Sequence, residues 1–113
     1  MAGSAGRAGI HKEVIEVPGI DLDNFVYGDK NPIPQVIKMD IEGGEVLALR
    51  GMTRVLSEAS PIIFLELHGS DAAQTAWETL TRKGYKIYHM KPDLPIVPSL
   101  ANLDWKAYLV AIP

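Results

Sequence analysis

The sequence predicts an α/β fold, parallel strands with crossover helices closed by a final antiparallel hairpin. Three observations carry this. Short runs that are apolar on both faces alternate with stretches whose apolar residues recur at helical spacing. Gly and Pro punctuate nearly every junction between them. The last two β-prone runs have no helical segment between them, which favours antiparallel pairing.

Val14-Ile-Glu-Val17 is β-prone and is closed by the turn dipeptide Pro18-Gly19. Asp21 to Tyr27 suits a short helix, with Asp21 or Asp23 as its cap. Gly28 to Pro34, with two prolines, is a loop. Gln35 to Ile41 follows as a strand. Its Val36, Ile37, Met39 and Ile41 are apolar on both faces, as in a parallel strand covered on each side.

Glu42-Gly43-Gly44 breaks that strand, and a helix is expected over 44–56. Val46, Leu49, Met52 and Leu56 form its stripe, widened by Leu47 and Val55. Gly51 inside that helix costs about 1 kcal/mol relative to Ala unless close packing requires it. Pro61 to Leu67 is a second buried strand, with proline where no ladder bond is lost. Ser70-Asp71 suits the cap of a second helix whose inner face is Ala73, Trp77 and Leu80, and Lys83-Gly84 stops it. Tyr85 to Met90 is a third strand, Lys91 to Asp104 a loop with three prolines, and Lys106 to Ile112 the last strand.

The 113 residues suit one domain. Residues 1–13, opening on a run of small residues, read as a flexible N-terminal arm or an expression remnant, and 14–113 as the domain. A net charge of −3 offers no basic stripe to a nucleic-acid backbone. With no cysteine, disulfide staples, thiolate metal sites and a Cys nucleophile are excluded. Every apolar run, Pro61 to Leu65 among them, falls far short of the roughly 20 residues of a membrane span, and a cytoplasmic location is expected.

Ligands of an open α/β sheet bind outside the carboxyl ends of its strands. Two clusters fall there: Asp40, Glu42 and Glu45 after the first buried strand, and Glu66 and His68 after the second. Alternation places Glu66 with His68 on one face, and Lys38 with Asp40 on one face of the neighbouring strand, a face that Glu42 continues if the strand runs on that far. Carboxylates and an imidazole converging there suit removal of a hydroxyl proton, or the holding of a hard cation. Glu45 is read chiefly as a first-turn acid complementing the helix dipole. Gly43-Gly44 offers backbone N–H groups to an anion or simply packs closely. His11 and His89 show no ligand spacing, and Trp105 is a boundary anchor or a pocket wall. No P-loop, nucleophile elbow or His-Glu-x-x-His occurs.

Four blocks in order carry a likeness that spacing alone does not give: Ile20-Asp-Leu-Asp-Asn-Phe25, Val36-Ile-Lys-Met-Asp-Ile-Glu-Gly-Gly-Glu45, Leu49-Arg-Gly51 and Phe64-Leu-Glu-Leu-His68. Together they resemble the FkbM-type S-adenosylmethionine-dependent methyltransferase family, over roughly 14–85 and more loosely the final hairpin. The resemblance implies the C-terminal portion of a Rossmann-like class I methyltransferase sheet, with S-adenosylmethionine as cofactor. The implied acceptor is a hydroxyl on a small molecule such as a sugar or polyketide. It further implies catalytic roles for Asp40, Glu66 and His68, with Asp40 or His68 as the base, and cofactor contacts from Asp40 and Glu42.

The family's Gly-rich loop after its first strand, and the acid that holds the cofactor ribose, have no counterpart in this sequence. The chain is therefore expected to be an incomplete part of the enzyme. Two other readings stand beside this one: a non-catalytic remnant that self-associates through an exposed strand edge, and a carboxylate-rich metal-binding domain using Asp40, Glu66 and His68.

Overall fold

The computed structural model describes residues 13–113. Four strands, β1 (Val36–Met39), β2 (Ile62–Glu66), β3 (Lys86–His89) and β4 (Tyr108–Ile112), form one sheet. Two α-helices, α1 (Glu45–Arg50) and α2 (Ser70–Arg82), connect the first three strands. The chain order is the one the apolar patterning predicts. The spatial order is β1-β2-β4-β3, which the patterning does not predict. β1 and β2 are parallel neighbours, as expected of strands joined by a crossover. β4 then inserts between β2 and β3 and runs antiparallel to both, so β2 and β3 are not bonded to each other.

Both helices pack on one face of the sheet. There Ile63, Leu65, Leu109, Ala111 and Ile87 meet Leu49, Met52, Val55, Leu56, Ala72, Ala73, Ala76 and Leu80 in a single core. The inner face of α2 is mostly alanine, with Trp77 half-buried at its border rather than central. Small side chains let this helix lie close to the sheet. Leu47, expected in the α1 stripe, points outward and is exposed.

The opposite face is not covered by any helix among the described residues. Val36, Ile62, Phe64, Tyr108 and Ile112 are exposed along it, so the covering of β1 on both sides does not occur. Val14 to Val17 is also not a strand. It finds no partner strand, and an unpaired β-prone run leaves Val14 81% exposed. The reading of residues 1–12 as an arm lies outside the described residues, as does His11.

The expected helix over 44–56 is interrupted. α1 ends at Arg50, and the chain resumes as a π-helical turn over Val55–Ala59. Gly51 sits at the junction because a Cβ there would lie 2.6 Å from the Cβ of Asp21, which is the close packing that offsets its propensity cost. Asp21 caps its own segment by accepting from the Asn24 N–H. Asp23 instead reaches across to accept from the N–H groups of Arg54 and Val55, capping the resumed turn. α2 starts without the expected Ser70 or Asp71 cap: its N-cap is Gly69, at φ +105°, where a side chain would be strained. No helix among the described residues is long and apolar enough to cross a membrane.

Candidate active site

The carboxyl ends of β1 and β2 lie side by side because the strands are parallel and in register, with Lys38 opposite Phe64 and Met39 opposite Leu65. Asp40 and Glu66 therefore emerge together, and His68 follows two residues later on the face of Glu66. A ligand atom from each of Asp40, Glu66 and His68 lies within 4.8 Å of the others. The three residues paired from strand alternation do meet in space.

Beside them the open sheet face forms a groove of about 600 Å³, lined by Lys38, Asp40, Phe64, Glu66, Met90 and Tyr108 among others. Tyr108 arrives through the antiparallel register that sets it opposite Glu66. The charge of the Glu66 carboxylate, with a smaller contribution from Asp40, holds the Tyr108 phenol above its ordinary pKa. Phe64 shares the face of Glu66 through strand alternation, whereas Met90 and Tyr108 have no local sequence signal. Those two reach the site only through strand order, which a linear pattern does not encode.

His68 stands behind Glu66, outside the groove lining, between two carboxylates. Its Nε2 is 3.4 Å from Glu66 and its Nδ1 is 3.1 Å from Glu45. Glu45 is fully buried, and its Oε1 also accepts from the His68 backbone N–H at 2.9 Å. Its Oε2 accepts from the Gly43 N–H at 2.7 Å. A buried carboxylate requires such partners, and these three contacts supply them.

Glu45 is thus more than a first-turn acid. It also corrects the reading of Gly43-Gly44 as an anion cradle, because the Gly43 N–H is given to Glu45 and the Gly44 N–H to the Ile41 carbonyl. Glu42 lies on the turn after β1 with φ +48°, exposed and outside the groove lining. Trp105 lines no part of the groove. Its ring is exposed, and its carbonyl accepts from the Gly69 N–H.

The profile of the methyltransferase FkbM domain matches residues 1–87. The chain belongs to the FkbM methyltransferase family. The match to this family takes in Asp40, Glu45, Glu66 and His68, and stops before β4 and its Tyr108. No curated protein and no solved structure matches the chain.

Proposed function

We propose that this site is the acceptor side of an S-adenosylmethionine-dependent O-methyltransferase built on a Rossmann-like class I sheet, acting on a small-molecule hydroxyl such as that of a sugar or polyketide. One observation carries the reading: Asp40, Glu66 and His68 converge at the carboxyl ends of two parallel strands, beside a groove with an apolar floor. A hydroxyl is a poor nucleophile until its proton is taken as the new bond forms, and that task needs a base within hydrogen-bond reach.

Asp40 meets the acceptor directly from the groove, and His68 reaches the same proton through the Glu66 end of the cluster. Either serves as the base. The apolar side chains of Phe64 and Met90 exclude water, and holding the acceptor against them contributes orientation. The chemistry of the donor set fits the cofactor: Asp40 and Glu66 set negative charge where a sulfonium cation would lie. S-adenosylmethionine, when bound, supplies an electrophilic methyl group there, with Asp40 as the residue to hold it.

Calorimetric titration of the chain with S-adenosylmethionine tests this. Binding that weakens at least tenfold in Asp40→Asn is expected, by about 1.4 kcal/mol. Binding undiminished in that variant counts against the reading, whereas no binding by the wild-type chain is the result expected if the absent Gly-rich loop and ribose-holding acid are needed to grip the cofactor.

The spacing of the cluster favours a second reading, in which Asp40, Glu66 and His68 hold a hard divalent cation. Titration with Mg²⁺, Ca²⁺ or Mn²⁺ that evolves no heat removes it.

A further inference from the structure

The role of Glu45 is not given by the family match or by the groove. We infer that Glu45 is a positioning residue that fixes the His68 ring with its proton on Nδ1, so that Nε2 is the unprotonated nitrogen left on the Glu66 side of the cluster. The inference rests on reading the cluster as a functional site, whether His68 acts there as a base or as a ligand.

A neutral imidazole carries one proton and has two places for it, and its neighbours decide between them. At His68 both neighbours are carboxylates, and they are not equivalent. The Nδ1 contact with Glu45 is the shorter, 3.1 Å against 3.4 Å, and it has hydrogen-bond geometry. The Glu45 oxygen is also fixed before the ring arrives, since the same Oε1 accepts from the His68 backbone N–H and Oε2 accepts from Gly43. Glu45 is fully buried and cannot turn to water, whereas Glu66 is partly exposed and can. Glu45 is therefore the acceptor that selects the Nδ1 proton.

The same carboxylate ties the turn after β1 to the end of β2, across 23 residues of chain. That tie joins the parallel register in holding the turn after β1 against the end of β2. Second-row carboxylates that orient a histidine in this way leave its other nitrogen free for a proton or a metal.

Long-range proton–nitrogen NMR of the imidazole rings tests the inference, recorded over a pH series and read on its alkaline plateau, where the shifts no longer change. His68→Gln identifies the resonances. In the wild-type chain Nδ1 is expected at a protonated shift and Nε2 at an unprotonated one. In Glu45→Gln the pattern is expected to reverse or to become a mixture, while Glu66→Gln leaves it unchanged. An Nε2–H ring in the wild type overturns the inference, as does an unchanged ring in a folded Glu45→Gln chain. If that variant does not fold, the wild-type spectrum decides alone, because Glu66 is the competing acceptor and selects the opposite tautomer. The spectrum needs no cofactor. A chain with the expected ring whose S-adenosylmethionine binding is undiminished in Asp40→Asn therefore fails the methyltransferase reading only.

Discussion

The Glu45 carboxylate accepts from both the backbone N–H and the Nδ1 of His68, at 2.9 and 3.1 Å, from a position with no solvent exposure. A helix-start residue thereby holds the end of a strand. Glu45→Ala is expected to destabilise the chain by about 1–3 kcal/mol, because it leaves the His68 N–H without its acceptor in a partly buried site. His68→Ala should cost less, since Glu45 keeps both backbone donors. The double variant should show a coupling energy of about 0.5–3 kcal/mol in urea denaturation. Additive losses would mean that the two side chains do not interact in solution.

Gly51 is the other position where a small change meets a fixed neighbour. A methyl group there would sit 2.6 Å from the Asp21 Cβ, which belongs to a backbone segment held by the Asp23 N–H to Gly51 carbonyl bond. Gly51→Ala is expected to lower stability by about 1–3 kcal/mol, as overpacking does, despite the better helix propensity of alanine. Gly28→Ala is the control, because its added Cβ would make only ordinary contact with Asn24. A thermal or urea midpoint that falls in the first and hardly moves in the second is the expected result.

The local elements were legible because they rest on local physics. The apolar runs at Val36, Ile62 and Tyr108, the helical period of α2, and the left-handed Gly84 that ends it all follow from neighbours in sequence. Asp40, Glu66 and His68 were legible as a group for the same reason, since strand alternation and parallel register suffice to bring them together. What the sequence withheld is non-local. The insertion of β4 between β2 and β3 brings Tyr108 to Glu66, and no pattern within β4 announces it. The bond from Glu45 to His68 likewise depends on how the turn after β1 folds back, where Glu42 and Gly43 both take positive φ. Val14 to Val17 shows the converse, a run with strand propensity that pairs with no strand of the sheet.

The two edges of the sheet differ in a way that bears on association. The outer side of β3 is partly closed by the 95–97 segment, through the His89 N–H to Pro95 carbonyl and Val97 N–H to Ile87 carbonyl bonds. The outer side of β1 has no partner strand among the described residues. An open parallel edge beside exposed Val36 and Ile62 invites pairing with another chain. Sedimentation velocity is expected to show association that grows with concentration and weakens in Val36→Lys. A chain that stays monomeric at high concentration would remove self-association from its properties.

Tyr85 supplies a pH dependence whose direction is fixed by burial. Its ring is 3% exposed, its hydroxyl donates to the Pro61 carbonyl, and burial pushes its pKa from 10.0 up to about 12. The folded chain therefore holds this proton more tightly than the unfolded chain does. Below pH 10 both states are protonated and the contribution to stability is complete. Between pH 10 and about 12 the unfolded chain ionises first, so stability falls as pH rises. Tyr85→Phe should lower stability at neutral pH by about 1–2 kcal/mol, through the unsatisfied Pro61 carbonyl. It should also flatten this part of the alkaline decline. Urea midpoints measured from pH 8 to 11 in both proteins check the two effects together, and curves that stay parallel throughout would show that another group governs the loss at high pH.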